Sequence, residues 1–316
     1  MANQKAIPIF FAVNDRYAAA LAVALKSLII NADQSRQYQI IVLYQELSST
    51  NQRRIGKLAQ KNVAIQFFPL QTGFDAQFDN DQNTLRADYR TLTIYYRLFI
   101  ADMFPQYDKA IYLDADIIVT GDISSLFDKN IDNNLMGAVN DRFIALDPNG
   151  SSYAREAIGV DGSLYVNSGV LLLNLDEIRQ FNLSGRFLDL LRRFHFDTIA
   201  PDQDYLNAIC QDRIFQLDPA WNYQTAVLDD SVTDIQIIHF NLFNKPWHYQ
   251  DAPFNDLFWN YASKTTYLDD LRDQLNNFSA KNIHAGLHKQ AKIIQKAGQI
   301  AHHKLTLNSV IRVEMI

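Results

Sequence analysis

The chain has 316 residues, a formal net charge of −6, 48% hydrophobic and 20% charged residues. That composition suits one large or two ordinary globular domains and argues against a nucleic-acid binder acting through a general basic surface. Its single cysteine, Cys210, excludes an internal disulfide, and no uninterrupted apolar run reaches half of the roughly 20 residues a membrane span needs, so a soluble, cytoplasmic protein is expected.

In chain order, residues 6–13 form a short apolar run that contains Pro8 and is broken by Asn14-Asp15-Arg16. It fits a first strand better than a signal peptide. Residues 17–30 are expected to be a helix with Leu21, Leu25 and Leu28 on one face, and residues 38–44 a second strand. Ser49 with Gln52 three residues on is a capping-box signal for a helix to about residue 60, before a third strand at 64–69. Strands alternating with helices imply a parallel sheet covered on both faces. Residues 71–91 lack periodicity and suggest a long loop of the kind that covers a site. A helix at 91–103 leads into the apolar run 110–119, interrupted by Asp114 and Asp116. Beyond it come a short helix at 124–129, a strand at 135–139, the apolar run 169–173, helices at 184–196 and from Pro201 or Asp202 to Cys210, and a last buried strand at 235–238 ending at His239. Cys210, beside Ala208 and Ile209, looks like core filler.

Asp114 and Asp116 organise this pattern. Residues i and i+2 of an extended segment point to the same side, so both carboxylates can converge on one Mg²⁺ or Mn²⁺. The plainer alternative is a turn or a helix cap. In open α/β sheets ligands bind outside the carboxyl ends of strands, where His239 is also placed, as a third ligand or as a satisfied core histidine. No glycine-rich dinucleotide cradle or P-loop is present. Lys245 lies close enough behind His239 to reach a diphosphate, or it is a surface lysine in a turn.

The segments Leu113-Asp114-Ala115-Asp116, Asn167-Ser168-Gly169-Val170-Leu171-Leu172-Leu173-Asn174-Leu175, Asp202-Gln203-Asp204 and His239 with Lys245-Pro246-Trp247 resemble glycosyltransferase family 8 in content and order, across roughly residues 5–250. The resemblance implies a single Rossmann-like nucleotide-sugar-binding domain of the GT-A type, with a mixed, mostly parallel sheet. The expected division is a catalytic domain over 1–250 and a helical, basic extension over 251–316. It implies a retaining transferase that moves glucose or galactose from a UDP-hexose, with Mn²⁺ or Mg²⁺, to a glycan, glycolipid or protein acceptor. Carried over position by position, Asp114, Asp116 and His239 match the metal ligands. Tyr17 matches the aromatic that stacks on uracil, and Ala12 and Asn14 the same pocket. Arg97 matches a residue bridging to the sugar and diphosphate, and Lys245 a diphosphate ligand. Asn167, Asp202 and Gln203 match contacts around the donor sugar, and Asp141 a site residue near the acceptor.

Three positions depart from the family pattern: Asn14 where an aspartate is frequent, Arg16 where a smaller polar residue is common, and Leu242 where a glycine is usual. Gln203 is a poor nucleophile, which favours attack from the leaving-group face, with Asp202 in reserve for a covalent route. Two rival readings remain. One is an aspartyl-phosphate phosphatase with Asp114 as nucleophile and Asp229-Asp230 as late metal ligands; the other is a non-catalytic nucleotide-sugar-binding module. The aromatic segments 240–249 and 254–261 suit sugar faces or a core. Residues 281–316 hold six Lys and Arg against one Glu. With Leu287, Ala291 and Ile294 on one face, this segment is either a basic helix on an anionic membrane surface or a terminal helix packed on the domain.

Overall fold

Along the first strand, β1 (Ile7–Val13), nearly every residue is buried. Ile7, Ile9 and Phe11 belong to one core and Phe10 to a second, as expected of a central strand with both faces covered. The computed structural model describes residues 6–70 and 92–314; the loop expected at 71–91 lies outside them. The other strands are β2 (Tyr38–Tyr44), β3 (Val63–Pro69), β4 (Lys109–Leu113), β5 (Ile117–Val119), β6 (Met136–Asn140), β7 (Val166–Asn174), β8 (Ile214–Gln216), β9 (Tyr223–Gln224) and β10 (Ile237–His239). Among the described residues, seven strands form a sheet of order β3-β2-β1-β4-β7-β6-β8. All its pairings are parallel except those of β7, which runs antiparallel to β4 and β6. A second sheet has order β5-β10-β9.

Two local expectations change. The cap of the second helix is Ser48, whose Oγ accepts from the Asn51 N–H at 3.3 Å, while Gln52 Nε2 donates to the Leu47 carbonyl; the helix spans Ser49–Gly56. The stretch expected as one helix at 91–103 is a 3₁₀ turn, Leu92–Leu98, followed by Ile100–Met103. Residues 95–101 are all buried, so along that stretch no exposed face gave the sequence a helical period to follow.

The Ala18–Asn31 helix is buried almost all round, by alanines as well as by Leu21, Leu25 and Leu28. It packs against β5 on one side and against the Asn255–Ala262 and Leu268–Asn277 helices. Those late helices supply Phe258, Tyr261 and Leu271 to the first core, joined by Tyr267 between the two helices and by Phe240 and Trp247, so these aromatics are core rather than sugar platforms. The Ala280–Ile300 helix packs on the Pro148–Tyr153 helix, with Ala297 and Ile300 buried in the second core and Ile294 against it. The packed alternative for the basic tail is therefore what the fold displays, and among the described residues no helix is long and apolar enough to cross a membrane.

Candidate metal and donor site

The site lies where the two sheets meet. β4 ends at Leu113, the chain bends through Asp114–Asp116, and β5 starts at Ile117. The two aspartates are thus on a bend rather than on an extended strand, and convergence comes from the neighbours. Asp114 N–H donates to the Gly169 carbonyl at 2.8 Å beside the β4–β7 ladder. His239 of β10 is paired with Ile117 of β5, and Phe240 N–H donates to the Asp116 carbonyl at 2.9 Å. Ligand atoms of Asp114, Asp116 and His239 consequently lie within 4.8 Å of one another.

Each of the three has one atom engaged and one turned inward. Asp114 Oδ1 accepts from Arg97 Nη2 at 3.1 Å and from the Tyr112 hydroxyl at 3.0 Å, which leaves Oδ2 facing His239 Nε2 at 3.8 Å. Asp116 Oδ2 is paired with Lys245 Nζ, and Oδ1 faces His239 Nε2 at 3.4 Å. His239 Nδ1 lies 2.9 Å from Asn222 Oδ1. That amide oxygen can only accept, so this bonding assigns the ring proton to Nδ1 and the lone pair to Nε2. Two carboxylate oxygens and one imidazole nitrogen form a donor set that fits Mn²⁺ or Mg²⁺, and a hydrogen-bonded outer partner on the histidine is what metal sites use to aim the ring.

Electrostatics keep the groups charged despite burial. Burial disfavours the Asp116 carboxylate, but the Lys245 ammonium holds it well below the usual carboxylate range. Burial likewise opposes the charge of Lys245, and Asp116 restores it, so the ammonium pKa is raised. Arg97, buried among Asp114, Asp202 and the Ser168 carbonyl, stays charged for the same reason: the two carboxylates outweigh desolvation. Burial pushes the Asp202 carboxyl up against the opposing pull of Arg97.

A second, amide-rich layer adjoins this cluster. Gln203 Oε1 accepts from the Ser168 N–H at 3.0 Å, and its Nε2 donates to Asp141 Oδ2 at 2.9 Å. Asn167 Nδ2 donates to the same oxygen at 3.1 Å, while Asn167 Oδ1 accepts from Asn222 Nδ2 at 2.9 Å. Asp141 also caps the Arg142–Ala145 helix through the Ile144 N–H. One connected path of hydrogen bonds therefore runs from Asp141 to His239. Asp202 Oδ2 is taken by Arg97 Nε at 3.1 Å and Ser168 Oγ at 3.0 Å.

At the mouth, Tyr17 is 40% exposed and meets Trp247 edge-on, with ring centres 6.4 Å apart. Ala12, near the end of β1, is half-buried. Asn14 turns inward to accept from the Arg16 N–H at 3.1 Å and caps the Asp15–Tyr17 turn, while Arg16 is exposed. Leu242 sits in the left-handed region, φ 58°, a conformation that favours the glycine usual at this point.

Four residues without an assigned role at the sequence level complete the site: Tyr112, Ser168, Gly169 and Asn222. A Cβ on Gly169 would lie 2.3 Å from His239 Cε1 and 2.8 Å from Asp114 Oδ2, so the absent side chain makes room for the cluster. Asp229, by contrast, pairs with Arg142 Nη1 at 2.7 Å and is outside the carboxylate–imidazole group, which removes a late metal ligand from the phosphatase reading.

Residues 8–251 match the family described as Glycosyl transferase family 8. The chain is 26% identical to General stress protein A of Bacillus subtilis over 289 residues, 84% of this chain and 96% of that protein. It is 31% identical to Glycosyltransferase GlyB of Streptococcus pneumoniae over 186 residues, 53% of this chain and 41% of that one. Galactosyltransferase LgtC, solved in complex with donor and acceptor sugar analogues, superposes with TM-score 0.68 at 25% identity, covering 85% of this chain and 100% of the other. The bifunctional glycosyltransferase WbbM superposes with TM-score 0.72 at 24% identity, and the chain spans about half of it, 52%.

Proposed function

The chain belongs to glycosyltransferase family 8 and has its GT-A fold, and from that premise we propose that it transfers glucose or galactose from a UDP-hexose to a glycan, glycolipid or protein acceptor, with retained configuration and dependence on Mn²⁺ or Mg²⁺. The observation that carries this reading is the convergence of Asp114 Oδ2, Asp116 Oδ1 and His239 Nε2 beside two buried cations, Lys245 and Arg97. We assign catalysis to residues 1–250, with 251–316 as a helical extension that contributes to both cores.

In this reading Asp114, Asp116 and His239 hold the cation. When bound, it supplies positive charge opposite the β-phosphate as UDP departs. Lys245, charged and held by Asp116 and the Phe240 carbonyl, is the ammonium offered to the diphosphate. Arg97, fixed by Asp114, Asp202 and Ser168, orients the sugar and diphosphate. Tyr17 offers its exposed ring to the uracil, with Ala12 and Asn14 lining the same pocket. Asn167, Asp141 and Gln203 contact the donor sugar and the incoming hydroxyl.

Both ends of the Gln203 amide are hydrogen-bonded, and an amide is a weak nucleophile. We therefore favour attack from the leaving-group face. The acceptor oxygen bonds to C1 as the C1–O bond to UDP breaks, and the acceptor's proton passes to the departing phosphate oxygen. A glycosyl adduct trapped on Asp202 in a slow variant would replace this route with a covalent one.

The test is hydrolysis of a panel of UDP-sugars with Mn²⁺ and with EDTA, on the wild type and on Asp116→Asn. Metal-dependent turnover of one UDP-hexose, lost in the variant, is expected. Binding of UDP that is indifferent to metal, without turnover, would point to a binding module instead.

A further inference from the structure

A groove of about 700 Å³ runs between the Ala280–Ile300 helix and the segment that follows Asp141. Four side-chain amides line it, those of Asn149, Gln290, Gln295 and Gln299, together with the Phe143 ring and Ile294. We infer that this groove is a subsite for a sugar of the acceptor glycan beyond the one that receives the hexose. The inference rests on the transferase reading above.

The chemistry of the lining selects the ligand. A planar amide presents two donors and an acceptor at fixed spacing, which matches neighbouring hydroxyls of a pyranose, each able to donate and accept. Phe143 belongs to the second core and Ile294 packs on it, so the amides carry the recognition. Asp147 and His302 also line the groove, and among the described residues neither Lys nor Arg does. Phosphate and nucleotide ligands are thereby disfavoured.

Placement ties the groove to the reaction. Phe143 belongs to the Arg142–Ala145 helix, whose N-cap is Asp141, and Asp141 Oδ2 accepts from Gln203 and Asn167. A wall of the groove and the edge of the donor site are thus one short element. The groove thus begins two residues along the chain from Asp141, the residue proposed to lie near the acceptor, and in this inference it takes the next sugar.

Both walls are set in advance. A Cβ on Gly298 would lie 2.8 Å from Asn149 Oδ1, and one on Gly150 only 2.4 Å from the Ile144 carbonyl oxygen, so helix and loop meet at close quarters. Lys296 Nζ donates to the Thr198 carbonyl at 2.7 Å, and Ala297 and Ile300 are buried beneath. A groove formed before the ligand arrives loses less to ordering on binding.

Ala291 lines the groove and is exposed, so Ala291→Trp fills it without touching the core, and Gln299→Ala removes one amide from an exposed position. The experiment measures binding of maltotriose, lactose and chitotriose to the full chain by saturation-transfer NMR, and UDP-hexose hydrolysis in parallel. At least one of the three sugars is expected to bind the wild type, with contact abolished in Ala291→Trp and weakened about fivefold in Gln299→Ala, as for one or two neutral hydrogen bonds. Hydrolysis should be unchanged in both variants. The inference is overturned if none of the three binds the wild type, or if binding survives Ala291→Trp. Loss of hydrolysis in the wild type itself would count against the transferase reading, and the binding arm would then decide the groove by itself.

Discussion

Two Asp-x-Asp sequences occur near the site, and they meet opposite fates. Asp114 and Asp116 lie on a bend between strands and aim one oxygen each at His239. Asp202 and Asp204 lie in the first turn of the Pro201–Cys210 helix, where residues two apart diverge by about 200°. Asp202 faces Arg97 and Ser168. Asp204 faces away, taking the hydroxyls of Tyr153 at 2.8 Å and Tyr165 at 2.6 Å and the N–H groups of Ile199 and Ala200. The Lys245 ammonium holds Asp116 low despite burial, whereas burial pushes Asp204 up to about 6 against its hydrogen-bond donors. A buried carboxylate with charged partners and an oxygen left over suits ligand binding. One saturated by neutral donors holds elements together.

The contrast can be broken by substitution. Asp116→Asn should cost about three orders of magnitude in metal-dependent turnover, since removal of one charged ligand forfeits several kcal/mol of charge stabilisation. Titration of activity against Mn²⁺ checks this. Gly169→Ala pushes a methyl group into His239 and Asp114 and should weaken Mn²⁺ affinity by about a hundredfold or more, read by calorimetry. Asn222→Ala frees the His239 ring and should weaken the same affinity by roughly 10–100-fold; fold integrity is checked by circular dichroism.

The smallest effect sharpens the other side of the comparison. Because the folded state holds the Asp204 proton more tightly than the unfolded chain, the contribution of this group to stability is full below about pH 4 and is lost as pH rises to about 6. Its loss amounts to about 1–3 kcal/mol. Urea titrations across that range should show the slope in the wild type and a flatter one in Asp204→Asn, with Mn²⁺ affinity unaltered.

The legible parts were those where chemistry and position coincide in sequence. The alternation of strands and helices, the carboxylate pair after β4 and His239 at the end of the last strand were visible because strand ends collect ligands in open α/β sheets. The antiparallel course of β7 was not, since an apolar run buried on both faces carries no direction. Asn222 gave no signal because its importance lies in the ring it orients, 17 residues away. The fate of Asn14 was equally hidden: the same amide serves a base or a cap, and the local turn claims it. Leu242 was legible as a departure, a leucine where a glycine is usual, and its backbone is left-handed.

The most direct test of the central claim is an electron paramagnetic resonance titration of Mn²⁺ into the protein with UDP present, on the wild type, Asp116→Asn and Asp204→Asn. If Asp114, Asp116 and His239 hold a divalent cation, the free Mn²⁺ signal is depleted to one equivalent by the wild type and by Asp204→Asn but not by Asp116→Asn. Equal depletion by all three would contradict it.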